Sequence, residues 1–246
     1  MDTWRKWIGE AHGTALLTFI YVVTKGDPAA VGLGYWIIVI GCGFIGSAHF
    51  NPIITLSVFA NKIYFRTLSN EESHEFIGNL FLQVIGSVIG GVLGTLITGS
   101  DHYHIKISEN ASYFEAILAE AFFTSQIILV FLIIQQRTEM KILSSSAVAM
   151  TLFASAMACK QISGSCFNPT LCMAVDLVKT VHFWDIHMIK HIWVYVLGPA
   201  IGGLIGVFFS CIFLGDKQYK PSPSILKENN SSIWKNSEHS VSNSKG

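Results

Sequence analysis

Two dipeptides in this chain, Asn51-Pro52 and Asn168-Pro169, join an amide side chain to a residue that lacks a backbone N–H. Asn is a strong helix N-cap, and Pro suits the first helical position because no donor is needed there. Each pair therefore predicts a helix start. An Asn that caps through its oxygen still has N–H donors to give, and the positive end of the helix dipole stands beside them. Such a centre breaks no covalent bond. It presents donors to a neutral oxygen and a positive potential to a proton or cation. The plainer reading is that the two Asn-Pro units only lock their helices together. Neither a nucleophile beside a base nor a metal-ligand cluster is evident, so no enzyme, cofactor or metal site is expected.

The elements that would position these residues are short. The apolar runs after each Asn-Pro, 53–60 and 170–178, cannot cross a hydrocarbon core of about 30 Å. Two capped half-helices in a very apolar chain predict re-entrant segments, tolerated where they line a polar cavity. The surroundings are apolar enough. Of 246 residues, 51% are hydrophobic and 13% charged, where a soluble domain carries about 25% charged residues. Mean hydropathy is +0.48. An integral membrane protein in a lipid bilayer is expected. Zero net charge argues against a nucleic-acid partner. The five cysteines show no paired metal spacing and read as small buried hydrophobes. No cleavable signal peptide is evident.

Six stretches approach spanning length: 7–24, 31–48, 76–98, 113–135, 142–158 and 190–214. The linker 136–141 is taken to divide the chain. Residues 1–135 then form a first repeat, and 142–214 together with 113–135 a second. Glu120 and Thr124 repeat Glu10 and Thr14, so 113–135 opens the second half by its motif. Each half has its Asn-Pro after the second span and closes on a glycine ladder, Gly86/Gly90/Gly94 and Gly198/Gly202/Gly206. Such spacing lets helix backbones approach closely in lipid. With an odd number of spans per half, the second must be inverted. The fold class expected is all-α: six transmembrane helices plus two re-entrant half-helices in an inverted repeat.

Basic residues favour one face. Arg5, Lys6, Lys62, Arg66, Arg137, Lys141 and the tail lysines share the side of both termini, against Lys25, Lys106, Lys160, Lys179 and Lys190 opposite. Both ends are expected to be cytoplasmic. Asn110, in a glycosylation sequon, then falls outside. Residues 217–246 are Ser/Asn/Lys-rich and read as a disordered cytoplasmic tail.

Over roughly 7–214 the sequence resembles the aquaporin (major intrinsic protein) family. The matching pieces are Glu10-x-x-Gly13-Thr14, Ser47-Ala48-His49-Phe50-Asn51-Pro52, Gln83-x-x-Gly86, Glu120-x-x-x-Thr124, Ser163-Gly164-x-x-x-Asn168-Pro169 and Trp193 to Pro199. The resemblance implies half-helices meeting at their Asn-Pro ends, a homotetramer with one pore per subunit, and passage of water or a small neutral solute. Aquaporin-type pores are the standing example of exclusion by an Arg or by half-helix dipoles. It also implies a pore-lining role for His49, with bracing of its loop the equal alternative, and loop-bracing roles for Glu10 and Glu120.

Departures from the family pattern matter as much. The residue after each Asn-Pro is usually Ala; here it is Ile53 and Thr170, and a bulky Ile53 could narrow the waist or tilt Asn51. The family's filter Arg is replaced by Leu171. The other filter positions implied are Val31, Ala156 and Ser165, with Tyr35 the alternative one turn from Val31. That ring is small, mostly apolar and uncharged. Lys160, in the loop before Ser163, could lend a charge but is read as a solvated rim residue. Water, glycerol, urea or hydrogen peroxide are the solutes considered. The alternative is a non-conducting structural membrane protein with the same fold. A plasma membrane is preferred to an intracellular one.

Overall fold

The computed structural model describes residues 3–43, 45–138 and 140–218. Among them the chain forms helices and no strand. They are α1 (Thr3–Val23), α2 (Pro28–Cys42), α3 (Pro52–Tyr64), α4 (Asn70–Thr98), α5 (Tyr113–Arg137), α6 (Lys141–Cys159), α7 (Pro169–Phe183) and α8 (Ile192–Gln218), with a 3-10 turn at Ile186–Ile189. The tail expected to be disordered lies, from 219 onward, outside the described residues.

Local chemistry sets most starts. Asp27, Asn51 and Asn168 cap α2, α3 and α7, each with Pro following. Ser69–Glu72 and Ser112–Glu115 form reciprocal capping boxes on α4 and α5. The capping box carries α4 a turn and more beyond its apolar stretch, to Asn70. Glu75 in that extension is paired with Lys6 at 2.6 Å. Helix α2 stops at Cys42, short of the expected residue 48, because the chain must turn back toward Asn51. Its 15 residues reach about 22 Å.

α4, α5, α6 and α8 are long and apolar enough to cross a membrane by length and composition. α1 has the length but carries Glu10, Thr14 and Thr18 on the face it buries. The half-helices run past 60 and 178, to Tyr64 and Phe183. At 13 and 15 residues they measure about 20 and 22 Å, still short of a bilayer core.

Helix pairing is symmetric. α1 packs along α4 as α5 packs along α8, α3 lies on α8 as α7 lies on α4, and α2 meets α6 across the divide. Glycines permit the close pairs: a Cβ at Gly90 would strike the Ala15 carbonyl oxygen, and one at Gly202 that of Ala121. Each half-helix is thus held against the long last helix of the opposite half. This is the inverted-repeat, all-α fold.

Candidate functional site: a narrow cavity where two half-helices meet

Each half-helix is reached by a backbone that alternates in hand. Ala48 and Phe50 lie at φ 51°, and Ser165 and Phe167 at φ 58° and 56°. Left-handed conformations cost non-glycine residues about 1–2 kcal/mol each. Two buried carboxylates offset that cost. Glu10 of α1 accepts from the backbone N–H groups of His49, at 3.2 Å, and Phe50. Glu120 of α5 accepts from those of Cys166 and Phe167 at 3.0 and 2.7 Å. Hydrogen bonds to a charged group contribute about 1.5–3 kcal/mol each.

Further donors differ between the halves. The Gln83 amide of α4 donates to Glu10 at 2.7 Å and to the Thr55 hydroxyl at 2.8 Å. At Glu120 the donor is the local Ser163 hydroxyl, at 2.6 Å. Two tyrosines hold carbonyls of the second loop: Tyr21 donates to Gly164 at 3.0 Å and Tyr195 to Ser163 at 2.6 Å.

The two helix starts then meet. Asn51 Oδ1 accepts from the Ile53 N–H at 2.9 Å, and Asn168 Oδ1 from the Leu171 N–H at 3.4 Å and the Thr170 hydroxyl at 3.0 Å. With the oxygens turned to their own helices, the amide nitrogens face across. Asn51 Nδ2 donates to the Phe167 carbonyl at 2.8 Å, and Asn168 Nδ2 to the Phe50 carbonyl at 2.7 Å. This reciprocal clasp uses one N–H of each amide and leaves the second. Both helix dipoles point their positive ends at the same place.

Beside the clasp runs a narrow cavity of about 30 Å³, room for water at the scale of a single molecule or a short file. Asn51 and Asn168 line it, and so do Val31, Ala156, Ser165 and Leu171. Tyr35 lines it as well, one turn from Val31, so both positions weighed on α2 face the same space. Leu17, Ile54, Ile127, Val148 and Leu152 make the rest of the wall largely apolar. Tyr35 and Val148 are shared with a wider opening of about 450 Å³, bounded by Ser47, Ala48, Thr138, Lys141 and Ser144.

Other sequence candidates fall elsewhere. His49 lines neither space. Its ring stacks on Phe76 with centroids 6.0 Å apart, sits edge-on to Phe131 at 5.6 Å, and places Nδ1 3.0 Å from the Thr55 hydroxyl. Ile53 is buried against Gly203 of α8, where a Cβ would come 2.7 Å from its Cγ2; it does not narrow the cavity. The neighbouring Ile54 does the lining. Pro52 and Pro169 occupy the first turns of their half-helices. Asn110 is exposed in the 99–112 loop.

Lys160 is no freely solvated rim residue. Its ammonium donates to the Lys25 carbonyl at 2.7 Å and the Tyr103 hydroxyl at 3.2 Å. Burial lowers its pKa, with Asp27 acting in the opposite sense. Burial likewise pushes the Tyr103 hydroxyl up. In the same loop cluster, the hydrogen bond from Lys25 holds the Asp101 carboxyl below the usual carboxylate range, and that pair lies at 2.9 Å. Gln83 and Tyr21, both decisive here, were visible in the sequence only as a motif member and as one apolar-span aromatic.

A membrane protein with two broken helices capped toward one another around a narrow cavity is the class this geometry defines. The model of the major intrinsic protein family matches residues 1–210. The chain belongs to that family. It is 24% identical over 224 residues to glycerol uptake facilitator protein-like 6 of Lactiplantibacillus plantarum, covering 83% of this chain and 95% of the relative. It is 25% identical over 228 residues to aquaporin-8 of Notomys alexis, covering 85% and 82%. The solved aquaglyceroporin of Plasmodium falciparum superposes with a TM-score of 0.70 at 16% identity, covering 85% of this chain and 95% of that one. An FNT family ion channel gives a TM-score of 0.53 at 17% identity over 85% and 90%. At these identities the structural likeness is one of fold.

Proposed function

We propose that this chain is a passive channel for water and small neutral solutes, not an enzyme. One observation carries the reading: both Asn amides and both half-helix N-termini converge on a narrow, largely apolar cavity. A solute losing its hydration there meets fixed donors, while a cation meets two positive dipole ends. In this reading Val31, Ala156, Ser165 and Leu171, with Tyr35, form the constriction. Glu10 and Glu120 brace the loops, and His49 supports its loop from behind. Relatives named as a glycerol facilitator and an aquaporin are consistent with solutes up to glycerol size.

The assembly proposed is a homotetramer with both termini in the cytoplasm, in a plasma membrane, and Asn110 a glycosylation acceptor on the outer side. The pairing of α5 with α8 supports a repeat boundary in the 99–112 loop. Residues 113–135 then belong to the second repeat alone.

The test is osmotic challenge of liposomes holding the purified protein, with water and glycerol measured side by side. Water flux well above that of empty vesicles is expected, with glycerol flux above them too. Flat traces for both would leave the non-conducting structural alternative. Cys166 lines the cavity whereas Cys172 is fully buried away from it. A small thiol reagent should therefore block water flux, and Cys166→Ser, not Cys172→Ser, should remove the block.

A further inference from the structure

Sixteen side chains and backbones line the narrow cavity, and none carries a charge. A cation waits at one end of it. Ala156 of the lining is followed one turn later by Lys160, whose N–H donates to the Ala156 carbonyl at 3.0 Å. The Lys160 ammonium lies over the Tyr21 ring, 5.8 Å from its centroid, and over the Tyr103 ring at 5.4 Å. It stands 2.8 Å from where a Cβ on Gly26 would be. Tyr21 and Gly26 are both lining residues. Gly26 adopts φ 63°, so a glycine both permits the turn and leaves room for the ammonium.

The charge is also fixed in place. The Lys25 carbonyl and the Tyr103 hydroxyl take two of its three N–H groups, and the aromatic faces hold it through cation–π attraction. A third N–H remains for a passing oxygen. An ammonium fixed beside a low-dielectric channel repels a cation far more strongly than one waving in solvent.

We propose that Lys160 is a specificity-determining residue: its ammonium guards the Gly26 end of the cavity, rejecting cations and donating to neutral solutes as they pass. It supplies from α6 a charge that Leu171 on α7 does not. This rests on the channel reading above, and its test is built to fail separately.

Urea and guanidinium have nearly the same shape and differ by one charge, so their flux ratio isolates charge from size. Liposomes holding the full-length protein would be assayed for water, urea and guanidinium. Lys160→Met should raise guanidinium flux, relative to the neutral solute, about tenfold or more, and Lys160→Arg should keep it low. Tyr103→Phe, which only loosens the ammonium, should give a smaller rise and decides the matter if Lys160→Met does not fold. Should urea not pass, water flux is the neutral reference. An unchanged ratio in a variant that still conducts water overturns the role of Lys160. A wild-type protein that conducts nothing overturns instead the channel reading beneath it.

Discussion

The two Asn-Pro loops reach the same end by different supports. Both put two non-glycine residues in the left-handed region, both hang two backbone N–H groups on a buried glutamate, and both clasp the opposite loop through an Asn amide. The first loop borrows its remaining anchor from far along the chain, through Gln83 of α4, which ties Glu10 to Thr55. The second is anchored from within by Ser163 and clamped by Tyr21 and Tyr195 from α1 and α8. A symmetric backbone therefore does not need symmetric side chains. What both copies keep is the carboxylate and the amide, the groups that meet main-chain donors and acceptors no other residue satisfies.

The largest test of that contrast removes the carboxylates. Glu10→Ala strands the buried His49 and Phe50 N–H groups and one of the two Gln83 amide N–H groups, the other staying on Thr55. A cost of about 3–5 kcal/mol is expected. Glu120→Ala strands the Cys166 and Phe167 N–H groups, but the Ser163 hydroxyl can turn to Cys159 Sγ, 2.9 Å away. It should cost about 1–2 kcal/mol less than its counterpart. Thermal melts of the two variants in detergent would decide this. Equal melting temperatures, or Glu120→Ala the lower, would show that Gln83 adds nothing to the first loop.

Next in size is Ile53→Ala. Ile53 fills the space over Gly203, so its truncation should cost about 2–4 kcal/mol while leaving solute flux as it was. A rise in water permeability would mean that Ile53 faces the path after all. About 1.4 kcal/mol of barrier, or tenfold in flux, is expected for Leu171→Arg, which should lower glycerol relative to water. Ile54 stands at the matching position of the first half and also lines the cavity. Unchanged selectivity in Leu171→Arg would place the size-limiting ring nearer Ile54 and Tyr35.

How much of this was legible follows from how far each cause lies along the chain. The caps of α3 and α7 were readable because Asn and Pro act on their own turn. The positions Ser165 and Leu171 came from the family resemblance, counted from Asn168, and both lie on the cavity lining. The end of α2 at Cys42 was not readable. Apolar and small residues continue to Ala48, and what holds the loop beyond them is Glu10, on another helix. Which way Ile53 and His49 face was not readable for a related reason. The facing of a short helix is set by what it packs on, Gly203 in one case and the Phe76 and Phe131 rings in the other, and neither contact has a local signature. Lys160 reads as a surface residue until Tyr21, Tyr103 and Gly26 are brought around it.

The smallest effect probes the caps themselves. The first box is closed by one backbone N–H on Asn51 Oδ1 at 2.9 Å. In the second, the backbone bond to Asn168 Oδ1 is longer, 3.4 Å, and the Thr170 hydroxyl adds one at 3.0 Å. Thr170 is thus a side-chain substitute for a weak main-chain contact, and Thr170→Val keeps its shape while deleting the donor. The half-buried site can be reached by water, so the loss should be modest, about 0.5–1 kcal/mol. The Asn168 amide should loosen with it, giving a small drop in water flux. Ile53→Val, the matching trim in the first box, removes no donor and should leave flux alone. If the two variants conduct alike, the Thr170 hydroxyl does not orient Asn168, and the longer backbone bond suffices by itself.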